Sequence, residues 1–285
     1  MTSVPEIRIR QLNDEPIRVD GEFVVYWMIA NRRSTWNYSL DRAIEISRET
    51  GKPIVVLEAL RTGYRWASDR IHRFVLQGMA DNRASFQGSP IRYYPYVESS
   101  ADDGSGLLEA LAAQAVAVVT DDFPCFFLPR MVAHVADRLD VAMEAVDSNG
   151  ILPMMATDKV FARAYDFRRW LQKNLEPFLS ESPKSNPLGS KVLPKKASIP
   201  ANILERWPEA TVAVLRAETD ELSRLPIDHS VQPASFDGGS VAAATVVKRF
   251  FKDRFERYAN ERNDPDHEAA SGFSPYLHFG HLSAH

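Results

Sequence analysis

The chain has 285 residues, 45% hydrophobic and 25% charged, with a formal net charge of −4. This is the composition of a globular chain long enough for one large core or two ordinary ones, and it excludes a disordered or fibrous class. The acidic balance gives no global attraction to nucleic acid, so any such contact must come from a local basic patch.

Residues 1–19 form a polar arm without an apolar h-region, and no run approaches a bilayer span, so neither export nor membrane insertion is expected. Residues 22–29 are then a continuous apolar run of strand length, which suits a strand buried on both faces of a parallel sheet. Trp36, Leu40, Ile44 and Ser47 follow at helical spacing, and Gly51 ends that helix. Residues 53–58 are a second strand, and Ile71, Phe74, Val75 and Met79 mark a second helix. Residues 92–97 make a weaker third strand, because Pro95 cannot sit inside a central ladder. Leu107, Leu108, Leu111 and Ala115 predict a third helix and residues 117–120 a fourth strand. Leu128, Val132, Val135 and Leu139 predict a fourth helix begun by Pro129, and residues 141–146 a fifth strand. Alternation of this kind predicts a doubly wound α/β domain with a five-stranded, mostly parallel sheet over residues 20–156. Cys125, the single cysteine, is expected to be a buried small hydrophobe, and a chain that cannot form an internal disulfide suits a reducing cytoplasm.

Residues 157–238 read as connecting helices and linker. Val160, Ala164, Phe167, Leu171 and Leu175 predict an amphipathic helix with a basic flank, residues 180–200 are rich in Pro, Ser and Lys, and a short helix is expected over residues 210–224. Beyond residue 239, Val247, Phe251, Phe255 and Tyr258 are expected to line one helix face, with Arg262 one turn further on. Ser274-Pro275 reads as a helix start capped by Ser274, Gly280 as its stop, and Ser283 as a cap for one further helix.

In a doubly wound sheet ligands sit outside the carboxyl ends of the strands. The polar residues expected there are Asn31, Arg32, Arg33, Glu58, Arg61, Asp121 and Asp122, either as ligand contacts or simply solvating the sheet ends. No GxGxxG, P-loop, HExxH, CxxC or GxSxG pattern occurs. His278 and His281, three apart, read as packing or surface residues rather than a metal pair, and no metal site is expected. Trp27, Trp36, Trp66, Trp170 and Trp207 read as core or interface aromatics.

The string Tyr258-x-x-x-Arg262-Asn263-Asp264-Pro265, followed by Ser271-Gly272-Phe273-Ser274-Pro275-Tyr276-Leu277-His278-Phe279-Gly280-His281-Leu282-Ser283, closely resembles the flavin-domain entry of the photolyase/cryptochrome family. It is most similar to the class II cyclobutane-pyrimidine-dimer DNA photolyases, with Phe273 where that pattern has Leu. Tyr26-Trp27-Met28 with Trp36, and the strand ends at Asp121 and Asp147, also resemble that class.

The resemblance implies an α/β antenna-type domain followed by the start of an all-α FAD-binding domain at residues 239–285. It further implies FAD held by Tyr258, Ser271, Gly272, Phe273 and Ser274, an antenna pigment such as a deazaflavin in the α/β domain, and UV-damaged DNA as partner, with Arg262 a candidate DNA contact. The implied activity is light-driven splitting of pyrimidine dimers by electron transfer from reduced FAD. A cryptochrome-like photoreceptor and a stand-alone α/β binding fragment remain the alternatives. The match stops at His285, so the chain reads as C-terminally truncated, with no catalytic residue inside it and with Phe250, Phe251, Phe255 and Phe279 expected to lack partners.

Overall fold

The computed structural model describes residues 4–189 and 193–285. Its sheet is built from β1 (Ile9–Gln11), β2 (Phe23–Trp27), β3 (Ile54–Leu60), β4 (Arg92–Val97), β5 (Ala115–Asp121) and β6 (Met143–Val146). The spatial order is β1-β6-β5-β2-β3-β4, parallel throughout except for β1, which runs antiparallel to β6. The sheet therefore has six strands rather than five. The extra one comes from the segment read as a polar arm, and Arg8 fixes it there. Its guanidinium is buried and donates to the carbonyls of Gly150 and Ile151 at 3.1 and 2.6 Å.

The apolar runs behave as strands buried on both faces. Along β2, Phe23, Val25 and Trp27 enter one core, and Val24 and Tyr26 enter the other. The second core is closed by α1 (Tyr38–Thr50), whose N-terminal amide at Leu40 donates to the Asn37 side chain and which stops at Gly51 in the left-handed conformation. The first is closed by α3 (Leu107–Ala112) and α4 (Leu128–Ala136). Pro95 lies on β4, an edge strand, as its missing N–H requires, and its carbonyl accepts from the Ala210 N–H at 2.9 Å.

The second helix, α2 (Asp69–Phe86), organises the rest of the chain. The segment expected to be one helix is two short ones, α7 (Val212–Leu215) and α8 (Thr219–Leu222), separated where Ala217 takes φ 52°. Leu215, Leu222 and Leu225 pack them on Val75, Leu76 and Met79 of α2. Before them, α6 (Ala201–Arg206) carries Ile203 into the first core together with Ile199 and Trp207. Much of the Pro/Ser/Lys stretch thus lies on the α/β body instead of running free, although residues 190–192 fall outside the described residues. By contrast α5 (Ala164–Asn174) buries no residue, and Val160 stands before it, 93% exposed. Its aromatics meet one another instead, Phe161, Phe167 and Trp170 forming a small cluster.

The last segment contains α9 (Ser240–Asp253), α10 (Phe255–Glu261) and α11 (Ser274–His278). It docks on α2 through Ala243 and Tyr276 against Phe74. At its end Gly280, at φ 71°, lies so close to the loop after β2 that a Cβ would come within 1.8 Å of the Ala30 carbonyl oxygen. Ser283 begins no further helix; its hydroxyl accepts from the His285 N–H.

Candidate functional site

The first candidate surface surrounds Tyr258. The expected single helix is interrupted at Arg254, whose φ of −129° leaves the helical region. Its guanidinium donates to Glu268 at 2.6 Å and to the Ala270 carbonyl at 3.3 Å, which draws the following loop back over the break. The buried face also differs from the expected one, already within α9. Ala243 and Phe250 are buried, while Phe251 and Phe255 are 57% and 55% exposed.

Phe250 is the centre of this surface. Tyr258 meets it edge-on at 5.3 Å and Phe273 meets it edge-on at 5.0 Å, so the α10 tyrosine and the 271–274 turn share one floor. The spacing Ala243, Val246, Phe250 is the helical signal that could have revealed this residue. All four phenylalanines expected to lack partners therefore have aromatic ones: Phe251 and Phe255 meet Phe250 at 5.4 and 5.9 Å and each other at 5.1 Å, and Phe279 packs on Phe74 at 5.3 Å.

Gly272 is exposed with φ 75°, a conformation that an L side chain rarely takes, and only Val246 comes near the position of a Cβ, at 3.5 Å. Ser271 Oγ accepts from the Phe273 N–H at 3.4 Å. Ser274 is the first residue of α11 rather than its cap, since Phe273 occupies the cap position without a side-chain bond. Its hydroxyl is exposed beside the half-buried Pro275. Arg262 lies over the Tyr258 ring at 5.3 Å and donates to its hydroxyl at 3.4 Å. The structure thus brings Tyr258, Phe273 and Arg262 together, with Ser271, Gly272 and Ser274 on the adjoining turn.

The second candidate surface is a cleft of 820 Å³ at the carboxyl ends of β2, β3, β4 and β5. Trp27, Leu57, Tyr64, Tyr96 and Phe127 give it a largely aromatic wall, and Arg32 and Arg61 enter it. The polar residues expected at these strand ends divide into two groups. Asp121 is consumed by the fold: one oxygen accepts from the N–H groups of Ile29, Ala30 and Asn31 at 2.8–2.9 Å, and the other from the Tyr26 hydroxyl at 2.8 Å. Arg33 is buried against the carbonyls of Trp36, Ser148 and Gly280, and burial lowers its pKa to about 10. Asp122 pairs with Arg10 at 2.7 Å. Glu58, fully buried, accepts from Asn82 and Tyr93 and holds Arg32 at 3.0 Å on the cleft floor. Arg61 reaches Asp102 at 3.0 Å. Burial also pushes the Tyr64 phenol up to about 12.

Several residues sit differently from expectation around the cleft mouth. Cys125 is exposed, and Phe126 beside it is 69% exposed at φ 62°. Trp66 is 65% exposed, with the Arg65 guanidinium 4.5 Å from its ring, so it is not a core aromatic. The two histidines separate: His278 lies edge-on to Phe126 at 5.4 Å, whereas His281 is buried and its Nδ1 accepts from the Gly239 N–H at 2.9 Å. Among the described residues no helix is long and apolar enough to cross a membrane.

No protein-family model matches the chain. It is 32% identical over 279 residues to the deoxyribodipyrimidine photo-lyase of Methanothermobacter thermautotrophicus, an alignment covering 97% of this chain and 57% of that protein. It is 28% identical over 267 residues to the deoxyribodipyrimidine photo-lyase of Arabidopsis thaliana, covering 92% of this chain and 51% of the relative. Among solved structures, a class III photolyase from Agrobacterium tumefaciens superposes with a TM-score of 0.64 at 15% identity, over 92% of this chain and 51% of the other, which shows a shared fold. The chain spans about half the length of the curated relatives it matches. The chain is thus similar over nearly its whole length to deoxyribodipyrimidine photo-lyases, and it shares the fold of the class III structure.

Proposed function

We propose that this chain belongs to a class II-type DNA photolyase that acts on cyclobutane pyrimidine dimers in UV-damaged DNA, with FAD as cofactor. The supporting observation is the meeting of Tyr258 and Phe273 on Phe250 beside an exposed, left-handed Gly272. Tyr258 is one of the residues on which the resemblance to the class II flavin-domain entry rests, and Gly272 and Phe273 lie between two more, Ser271 and Ser274. In this reading residues 20–156 form the antenna-type unit, residues 157–238 the connection, and residues 239–285 the flavin side.

The residues present fit one wall of an FAD site. Gly272 is exposed and carries no side chain, with Val246 alone near the Cβ position, so a phosphate can approach the peptide N–H groups closely. The hydroxyls of Ser271 and Ser274 flank that approach, and Tyr258 bounds it with Arg262 stacked on its outer face. The chemistry that reduced FAD supplies when bound is light-driven electron donation to the pyrimidine dimer. This wall positions the phosphate and ribityl end, while Arg262 offers a fixed charge for a DNA phosphate. The aromatic cleft at the strand ends is the place we assign to an antenna pigment of the deazaflavin type, and its size suits a flat heteroaromatic ligand.

Titration of the 285-residue chain with FAD, followed by hydrogen exchange, tests the assignment. Weak binding is expected, because an open wall buries little of the isoalloxazine ring, with protection centred on residues 271–274. Gly272→Val should abolish that protection. Protection appearing elsewhere, or an unchanged response in the variant, would count against the flavin assignment. Light-driven dimer reversal, measured on the protein at its relatives' length, separates repair from a photoreceptor role.

A further inference from the structure

Two residues of the cleft wall, His278 and Phe279, come from the segment that carries the proposed flavin turn, not from the α/β body. They lie four and five residues beyond Ser274. The backbone next to them is fixed to the body by direct contact. Gly280 sits against the Ala30 carbonyl with no room for a Cβ, and the Arg33 guanidinium donates to the Gly280 carbonyl at 3.1 Å. The contact is shared with the cleft floor, since Ala30 and Arg32 line the cleft and a Gly280 Cβ would also meet the Arg32 amide at 2.6 Å. On the opposite side of the mouth His278 rests on Phe126.

We infer that His278 and Phe279 are ligand contacts of the cleft, and that occupancy of the cleft is therefore linked to docking of residues 239–285. The inference rests on the reading of the cleft as a pigment site. The physical basis is thermodynamic linkage: a ligand that touches both the body and the segment binds the docked form more tightly than the undocked form, so each event favours the other. Because the same segment presents Tyr258 and the 271–274 turn, a filled cleft also fixes where the proposed flavin wall stands against the α/β body.

The test uses the 285-residue chain with 5-deazariboflavin as probe, its binding followed by fluorescence and the segment followed by hydrogen exchange. The wild-type chain should bind the probe, and exchange over residues 276–282 should slow on binding. Phe279→Ala, which removes a wall contact, should weaken binding about tenfold. Gly280→Ala touches no ligand, yet it should weaken binding by a similar factor and raise exchange across the segment, because its Cβ displaces the backbone from Ala30. Binding by the wild-type chain with unchanged exchange, or with equal affinity in both variants, overturns the linkage and leaves the pigment reading standing. No binding by the wild-type chain overturns both. Circular dichroism confirms that each variant retains the α/β body, and the wild-type exchange measurement decides the matter even where a variant fails to fold.

Discussion

His281 lies over the backbone of Gly78, with its Nε2 atom 2.2 Å from the place a Cβ on that glycine would take. The ring stacks on Phe74 at 5.0 Å and accepts from the Gly239 N–H, so one imidazole joins the last segment to the middle of α2. A glycine inside a helix costs about 1 kcal/mol relative to alanine. Here it gives the space the imidazole needs.

Gly78→Ala should therefore destabilise the chain by about 1–3 kcal/mol despite its gain in helix propensity, because overpacking forces the ring out of its seat. Hydrogen exchange should rise over residues 239–285 and change little in β2, β3 and β5. A variant more stable than the parent in urea would show that the ring relocates freely.

Docking of this segment should also depend on pH. Burial, and then the charges of Arg32 and Arg33, lower the His281 pKa from 6.5 to about 3. The docked form thus prefers the neutral ring. Its contribution is complete above pH 6.5 and is lost progressively as the pH falls toward 3. Asp41 acts in the opposite sense over part of this range. Burial raises its pKa from 3.8 to about 6, so acidification between those values relieves a buried carboxylate on α1. A global melting temperature mixes the two effects. Exchange within residues 276–282, corrected for the intrinsic rate, should rise between pH 6 and pH 4, with His285, whose pKa burial also lowers, acting in the same sense as His281.

Trp207 should prove as important to the α/β body as its strand residues. It is 4% exposed, packs in the first core with Ile203 and Leu107, and donates from its indole to the Asp103 carbonyl at 2.8 Å. Trp207→Ala should cost about 3–5 kcal/mol, the range for loss of a large buried aromatic. Limited proteolysis should cut the parent first in the exposed stretch around α5, leaving the 199–227 region bound to the body. If the variant melts like the parent, the segment before α7 is only resting on the sheet.

Phe250→Ala should separate Tyr258 from the 271–274 turn, since both rings meet on this side chain. Loss of a buried Phe costs about 3–5 kcal/mol in a closed core, and less here because its neighbours Phe251 and Phe255 are open to solvent. The informative readout is local: exchange at residues 258–274 should rise while the probe affinity of the distant cleft falls only through segment undocking. Phe251→Ala, on the exposed face, should leave both nearly unchanged.

The alternation of apolar runs and amphipathic helices was enough to specify the doubly wound sheet, because strands buried on both faces must be apolar throughout. Pro95 on an edge strand followed from its missing donor. Tyr258 and Arg262 on one helical face followed from their four-residue spacing. The arm strand β1 was not legible, since its hold is a ladder with β6 and the contact of Arg8 with carbonyls roughly 140 residues away. The same is true of Phe250, Asp121 and Gly280. Contact with Phe74 and with Phe273 decided that Ala243 and Phe250 form the buried face of α9, and the carboxylate at the end of β5 was claimed by three amides of the loop after β2. The closeness of Gly280 to Ala30 placed His278 and Phe279 at the cleft. Local periodicity records which residues avoid water, but only the packed chain decides which of them meet, because those contacts join segments far apart in sequence.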